Sequence, residues 1–317
     1  MNNKELKIIF AGTPTFAVPT LEAIYESGYD IPLVLTQPDR KSGRGMIKKP
    51  SPIKEKAQKY NIPIYQPERL EENEVIKKIT SVKAHILVVA AYGLIIPSQI
   101  LDIFVKGSYN VHASLLPKWR GAAPVHRAIE AGDSKTGVTI MLIAPKLDSG
   151  DMIRKKIINL DENSTTGEVT DKLSILGAEL MTKVLNDICK NKKLKFIRQI
   201  HSMATYAKKI NKSEAKIIWK DVTSKELVGK INAFNPNPGA FCFFRGKILK
   251  IWKANIESNI HKIESGKLFF NPKKNSLYAG TIDGAIEIKS IQLEGKRKMT
   301  AKEFTITNKI NDEDFLL

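Results

Sequence analysis

Two polar side chains, an amide and an imidazole two positions apart, end a strand-like stretch in the sequence NVHASLLPKWRGAAP. Because alternate residues of a strand face the same side, we expect Asn110 and His112 to project together near its carboxyl end. Such a pair can stabilise a developing oxyanion and transfer a proton. It could equally be a polar cap on a strand end, so the pair alone does not establish catalysis.

A carboxylate in a later loop could complete this set. The sequence GVTIMLIA at 137–144 predicts a strand, and it leads into PKLDSGDMI, where serine and glycine follow Asp148. A carboxylate beside an imidazole orients the ring and favours its protonated form. An aspartate in a Ser-Gly loop is also ordinary turn chemistry, and the sequence by itself does not place Asp148 beside His112.

The elements that must position these residues alternate between strand and helix signals. Continuous runs of Val, Ile and Leu, above all at 84–90, predict parallel strands that helices cover on both faces. The expected strands are 6–11, 31–36, 62–65 and 84–90, and the expected helices are 17–27, 52–60 and 71–80. The pattern predicts an α/β fold with a doubly wound, mostly parallel sheet, whose ligands bind beyond the carboxyl ends of the strands.

The sequence changes character from about Lys208. After a short helical stretch at 224–234, apolar runs such as AFCFFRGKILKIW and AIEIKSIQL are separated by Gly, Asn, Lys and Pro. Short strands punctuated in this way predict a smaller β-barrel or sandwich. We therefore expect domains at 1–190 and 208–317, joined by a linker at 191–207.

Composition limits the classes of partner and compartment. The net charge of +18, from 51 basic and 33 acidic residues, suits a polyanionic partner, although a lysine-rich proteome would give the same excess. The two cysteines, Cys189 and Cys242, do not suggest a disulfide framework or zinc site, which fits a reducing cytosol. The longest apolar run, 86–96, falls short of the roughly 18 residues of a membrane span. We expect a cytoplasmic monomer with no membrane or metal.

The three candidate residues resemble the active-site signature of the folate-dependent formyltransferase superfamily. The motif SLLP after His112 and the motif LDSGDM around Asp148 carry this resemblance. Within the superfamily, the chain is most similar to the members that act on methionyl initiator tRNA. That similarity extends over nearly the whole chain, through FAGTPTFA, QPDRKSGRG, SPIKEKA, GVTIM, ATYAKKI and FNPNPGAF.

The resemblance implies transfer of the formyl group of 10-formyltetrahydrofolate to the α-amino group of methionyl initiator tRNA. Asn110 and protonated His112 would stabilise the oxyanion, and Asp148 would hold His112 and help to move the proton to the folate nitrogen. No metal and no covalent intermediate are implied. The implied folate-binding residues are Ser114, Leu115, Leu116 and Pro117 and, through the backbone of the run YGLII at 92–96, Tyr92 and Leu94. The run around Tyr92 would serve equally well as core.

A basic loop, QPDRKSGRGMIKKPSP at 37–52, suits contacts to phosphate, although a solvated charged loop would have a similar composition. In the family the matching loop reaches the acceptor end of tRNA, which implies tRNA-binding roles for Arg44, Lys48 and Lys49. Lys208 and Lys209, at the linker, are further candidates for contacts to the tRNA backbone, and the resemblance implies an OB-like tRNA-binding barrel at 208–317.

Two positions depart from the family pattern. Asn232 stands where the family generally has Arg, and Asn237 replaces a Trp, which puts local packing or one tRNA contact in question.

Two other functions compete with the implied one. A formyltransferase for an amino sugar nucleotide or another small amine would keep Asn110, His112 and Asp148. An RNA-binding protein without catalysis would have no need of them.

Overall fold

A computed structural model of the protein describes residues 3–42, 47–257 and 263–317. The chain forms two compact units. The N-terminal unit comprises 1–124, 136–158 and 170–207, and the C-terminal unit comprises 125–135, 159–169 and 208–317. Residues 191–207, expected to be a linker, thus belong to the N-terminal unit, and two earlier segments belong to the C-terminal unit. The domain functions assigned to these ranges stay predictions.

The elements up to residue 207 include eleven strands and six α-helices in the described part of the chain. The strands are β1 (Lys7–Gly12), β2 (Asp30–Leu35), β3 (Arg40–Ser42), β4 (Ile47–Lys49), β5 (Ile64–Tyr65), β6 (Ile86–Ala90), β7 (Ser108–His112), β8 (Arg120–Gly121), β9 (Lys135–Leu142), β10 (Met152–Asn159) and β11 (Tyr206–Ala207). The helices are α1 (Val18–Glu26), α2 (Pro52–Lys59), α3 (Asn73–Ser81), α4 (Ser98–Leu101), α5 (Pro124–Glu130) and α6 (Thr166–Cys189).

Seven of these strands form one sheet in the order β10-β9-β7-β6-β1-β2-β5. Strand β1 pairs in parallel with β2 and β6, and the parallel pairing continues to β5 and β7. Strand β9 runs antiparallel to its neighbour β7. The predicted Rossmann-like, mostly parallel sheet is confirmed, and strand order reverses between β1 and β6, where ligands of such sheets bind.

Strand β6 is the predicted central strand, and all of its residues are buried. Helix α6, which did not stand out in the sequence, packs closely on the neighbouring strands. A Cβ added at Gly177 of this helix would lie 2.5 Å from Val111 Cγ1 and 3.3 Å from Val138 Cγ2. Glycine is therefore needed where the helix backbone crosses β7 and β9, and this contact supports β7 from behind.

The basic loop contains structure that the sequence did not predict. Strands β3 and β4 form a short antiparallel hairpin in which Arg40 pairs with Lys49 and Ser42 with Ile47. Residues 43–46 of this hairpin lie outside the described residues. Helix α2 follows at once, because the Ser51 hydroxyl accepts a hydrogen bond from the Lys54 amide and caps the helix.

The C-terminal unit contains an antiparallel sheet ordered β12-β13-β16-β15-β14, with β17 paired to β16. Its elements are α7 (Ser224–Ala233), β12 (Phe241–Phe244), β13 (Lys247–Glu257), β14 (Leu268–Asn271), β15 (Ser276–Thr281), β16 (Gly284–Leu293), β17 (Met299–Thr300) and α8 (Ala301–Thr307). These strands confirm the predicted small, barrel-like domain.

The last residues of the chain bridge the two edges of this sheet. On the β12 side, Phe243 and Leu317 exchange backbone hydrogen bonds of 2.7 and 2.9 Å. On the β14 side, the Leu316 amide donates to Gly266 and the Leu268 amide donates to Asp314. Pairing with both edges satisfies backbone groups that open edge strands would leave exposed.

An ion pair fixes the same terminal segment. Arg245 donates to both carboxylate oxygens of the buried Asp314, at 2.8 and 2.7 Å, and this bonding lowers the pKa of the carboxyl group. Bidentate pairs of this kind are geometrically specific. The side chain of Leu316 is buried in the core of the unit, where it is 1% exposed.

We expect Leu316→Ala to lower the free energy of unfolding by about 2–5 kcal/mol, because it empties core volume at the closure of the barrel. Leu317→Ala is the matched control, since that side chain is 71% exposed and its backbone bonds would remain. Urea unfolding followed by circular dichroism measures both variants. Equal stabilities of the two variants would contradict this account of the closure.

Among residues 3–42, 47–257 and 263–317, no helix combines the length and the apolar character that crossing a bilayer requires.

Candidate active site

The amide and the imidazole lie at the end of β7, one strand from the point where strand order reverses. Asn110 pairs with Val89 of β6 on one side and with Met141 of β9 on the other. His112, the last residue of the strand, is buried and pairs with Thr139. The carboxyl end of β7 therefore carries both side chains, as their spacing predicts.

The segment after His112 turns sharply and is held from inside the unit. The Thr139 hydroxyl donates to the Ser114 carbonyl at 2.7 Å and accepts from the Leu116 amide at 3.3 Å. The Ser114 hydroxyl donates to the Lys118 carbonyl at 2.6 Å. Leu116 packs against two buried methionines. The side chains of Ser114 and Leu116 thus face the protein, while Leu115 and Pro117 are half-buried.

The imidazole of His112 lies between a carboxylate and a carbonyl. Its Nδ1 is 3.6 Å from Asp148 Oδ2, and its Nε2 is 2.9 Å from the Trp119 carbonyl oxygen. Because a carbonyl only accepts, Nε2 carries a proton in this arrangement. The structure therefore brings His112 and Asp148 together, which their separation in sequence did not show.

Asp148 is held by its own backbone geometry and by a neighbouring loop. Its φ of 44° lies in the left-handed region, which aspartate tolerates better than most residues. The Gly121 amide donates to Asp148 Oδ2 at 2.8 Å, so the oxygen that faces the ring is also fixed by the WRGAAP segment.

Asn110 supplies the unoccupied donor of the set. Over the described ranges, its side-chain amide has no hydrogen-bond partner in the protein, although the residue is half-buried. A half-buried amide ordinarily finds a partner, and a substrate oxygen could satisfy it. The arrangement offers a free amide donor beside a protonatable ring that is oriented by a carboxylate.

Two further residues hold the Asp148 loop, and the sequence analysis missed both roles. Gln199 Nε2 donates to the carbonyls of Asp148 and Gly150, at 2.9 and 2.7 Å. Gln199 Oε1 accepts from Nε and Nη2 of Arg120 at 3.1 and 2.7 Å. The Arg-Gly pair of the WRGAAP motif was a sequence signal that could have pointed to Arg120. No sequence signal pointed to Gln199.

Tyr92 and Leu94 both contact the core of the sheet. Tyr92 is buried in the core of the sheet, where burial raises the pKa of its hydroxyl, and Leu94 packs partly against the same core. The Tyr92 carbonyl accepts from Thr13 and Gln37 at 2.8 and 3.1 Å. A contact to folate from this segment therefore stays a prediction, and it concerns the backbone.

The predicted tRNA-binding lysines are exposed. Lys48 and Lys49 lie on β4 of the hairpin, and Lys208 and Lys209 lie at the start of the last segment of the C-terminal unit. Arg44 lies outside the described residues. The tRNA-binding role of all five stays a prediction.

Of the two departures from the family pattern, Asn232 makes a side-chain contact within the C-terminal unit, and Asn237 contributes its backbone carbonyl. Asn232 is buried, and its side chain donates to the Glu162 carbonyl at 2.7 Å. The Asn237 carbonyl pairs with His126 Nε2 at 3.2 Å. Asn232 therefore packs inside this unit, and its side chain is not an exposed tRNA contact.

Within the described part of the chain, no group of three or more His, Cys, Asp or Glu side chains could hold a metal ion.

Known proteins are similar to this one over nearly the whole chain. Residues 6–185 match the formyl transferase family, and residues 209–309 match the formyl transferase C-terminal domain. A methionyl-tRNA formyltransferase of Methylobacillus flagellatus is 43% identical over 303 residues, which are 96% of this chain and 97% of that protein. One of Alkaliphilus oremlandii is 40% identical over 312 residues, 98% of this chain and 99% of that protein.

Solved structures agree on the fold. A sugar 3N-formyl transferase matches with a TM-score of 0.64 and 24% identity, over 92% of this chain and 99% of its own. An N-formyltransferase from Helicobacter canadensis gives a TM-score of 0.62 and 21% identity, over 93% and 100% of the two chains. With full-length relatives that share two fifths of its residues, and with both family domains present, this chain belongs to the methionyl-tRNA formyltransferase family.

Proposed function

We propose that this protein transfers the formyl group of 10-formyltetrahydrofolate to the α-amino group of methionyl initiator tRNA, for the start of translation. The observation that carries the proposal is relatedness to methionyl-tRNA formyltransferases over nearly the full length of both chains. The free amide of Asn110 and the His112–Asp148 pair at the carboxyl end of β7 supply groups suited to that chemistry.

The reaction is an acyl transfer between two nitrogens. The neutral α-amine attacks the formyl carbon, and negative charge builds on the formyl oxygen as the carbon becomes tetrahedral. Collapse breaks the bond between this carbon and N10 of the folate. The proton lost by the amine ends on N10, so the products are the formamide and tetrahydrofolate. The protein must therefore stabilise an oxyanion and move one proton.

Asn110 would donate to the developing oxyanion, and its amide is available for that bond because it has no partner in the described protein. His112 would join it by exchanging its bond to the Trp119 carbonyl for one to the formyl oxygen. Asp148 holds the opposite ring nitrogen and balances its charge when the ring is protonated. The proton passes from the amine to N10 through this pair, by way of water.

The folate donor is proposed to lie against the turn after β7. Leu115 and Pro117 are the half-buried apolar side chains of that turn, while Ser114 and Leu116 support it from inside. Half-buried apolar side chains of this kind suit contacts with the flat rings of a folate. The formyl group of the donor would offer its oxygen to Asn110. The donor supplies the activated formyl group, and the protein orients it.

The tRNA is proposed to bind the basic hairpin of β3 and β4 and the lysines at the start of 208–317. The net charge of +18 suits a polyanionic substrate, and phosphate contacts from lysine and arginine fix register without reading sequence. Lys48, Lys49, Lys208 and Lys209 are exposed and free to make such contacts.

An amino sugar nucleotide is the competing acceptor, because the solved neighbours include a sugar formyl transferase. A direct assay separates the two functions. The protein is incubated with 10-formyltetrahydrofolate and either methionyl initiator tRNA or an amino sugar nucleotide, and formylated product is measured. We expect rapid formylation of the tRNA alone; preferential formylation of the sugar would overturn the proposal.

We expect Arg44→Ala to lower kcat/KM for methionyl-tRNA by about tenfold, since one lost phosphate or base contact costs about 1–3 kcal/mol. The rate with saturating tRNA should change less. Steady-state kinetics over a range of tRNA concentrations measures both effects. Lys77→Ala, which removes an exposed charge from α3, is the control. Unchanged kcat/KM for Arg44→Ala would remove this residue from the tRNA site.

A further inference from the structure

We propose that Gln199 is a positioning residue for catalysis, which holds the Asp148 loop in its reactive shape. The inference rests on the proposed function, because it assigns Gln199 an effect on that reaction through Asp148. Gln199 lies 51 positions from Asp148 in sequence and is 3% exposed. Its amide donates to the backbone that carries the carboxylate, not to the carboxylate or to the His112 ring.

The hydrogen bonds of Gln199 fix its amide in one orientation. Both donors of Arg120 point at Oε1, so this atom must be the oxygen, and the NH₂ group faces the loop. From there the two amide hydrogens reach the carbonyls of Asp148 and Gly150. Arg120 is itself 4% exposed, so its guanidinium is held rigidly behind the glutamine.

This bonding explains how the loop keeps an uncommon backbone shape. Asp148 has a positive φ, a conformation that costs a residue with a side chain of order 1 kcal/mol or more unless its surroundings impose it. The next turn is equally confined, because a Cβ added at Gly150 would lie 2.0 Å from the Leu142 carbonyl oxygen. The hydrogen bonds from Gln199 to the carbonyls on both sides of Ser149 hold the loop in the position in which Asp148 faces His112.

Gln199 belongs to a strap, residues 197–207, that also holds the WRGAAP loop at 119–124. Ile197 pairs with Met152 immediately after the Asp148 loop. At the other end, the Thr205 hydroxyl accepts from the Trp119 amide at 2.9 Å, and the Thr205 carbonyl accepts from the Arg120 amide at 2.8 Å. The strap therefore fixes the loop whose Trp119 carbonyl and Gly121 amide contact His112 and Asp148.

Two substitutions separate positioning from bulk stability. Gln199→Leu keeps the volume and removes all four hydrogen bonds. Gln199→Glu keeps an acceptor for Arg120, which favours folding. It replaces the NH₂ donor by a second oxygen, which faces the carbonyls of Asp148 and Gly150. We expect both variants to lower kcat by about 10- to 100-fold, since a displacement near 1 Å can cost that much. KM for the tRNA and for the folate should change less than about twofold.

The decisive comparison repeats Gln199→Glu in an Asp148→Asn background. If Gln199 acts through Asp148, its substitution should then lower kcat by less than about twofold, because coupled residues are not additive. Met203→Ala, an exposed residue of the same strap, is the control. Circular dichroism and thermal unfolding establish that each variant is folded.

A folded Gln199→Glu protein with wild-type kcat overturns the inference, as does an undiminished loss of kcat in the Asp148→Asn background. Failure of the wild-type protein to formylate methionyl-tRNA overturns the proposed function instead. A loss of kcat that disappears in the Asp148→Asn background establishes the positioning role.

Discussion

Replacing His112 with alanine is expected to lower kcat for formyl transfer by about a thousandfold, while the dissociation constant for methionyl-tRNA changes less than about twofold. The ring is buried at the end of β7, between Asp148 and the Trp119 carbonyl, so it can affect the reacting atoms without contacting the bulk of the tRNA. Asp148→Asn should lower kcat by a comparable factor, because it leaves the ring without its charged partner.

Single-turnover rates with both substrates saturating measure this effect, and filter binding measures the tRNA affinity. His85→Ala offers a matched control, since the ring of that histidine accepts a hydrogen bond from the Lys7 amide at the start of β1, away from the carboxyl ends of the strands. A variant at His112 that loses tRNA binding but transfers formyl groups at the normal rate would contradict the assignment.

Asn110→Ala is expected to lower kcat by about 100- to 1,000-fold, the usual effect of removing one donor from an oxyanion site. The side-chain amide has no partner in the described protein, so its loss should not disturb folding. Asn110→Asp is the sharper variant, because it keeps the shape and places a negative charge against the developing oxyanion.

Single-turnover kinetics and thermal unfolding together test Asn110. We expect both variants to unfold within a few degrees of the wild-type protein while their rates fall. A rate for Asn110→Ala within about threefold of wild type would show that the amide makes no bond to the transition state.

The sheet could be predicted because its strands are marked by local patterns. A fully buried strand such as β6 appears as a continuous apolar run, and its central place follows from that burial. The shared face of Asn110 and His112 follows from the two-residue period of a strand. These features depend on residues that are neighbours in sequence.

The rest of the site depends on long-range contacts that no local pattern shows. Asp148 reaches His112 because β9 lies beside β7 in the sheet, and periodicity does not give strand order. Gln199 reaches the same loop from a segment that read as a linker. The side chain of Tyr92 lies in the core, which is the alternative that the apolar run around it had left open.

We propose that His112 and Asp148 act as one unit on the carbonyl being attacked. Single-turnover formylation of methionyl-tRNA by the His112→Ala, Asp148→Asn and doubly substituted proteins measures whether the two residues depend on each other. We predict that the double variant is about as slow as His112→Ala alone, since a carboxylate without its ring has nothing left to orient. A double variant slowed by the product of the two single factors would show that the residues work independently, and would contradict the account.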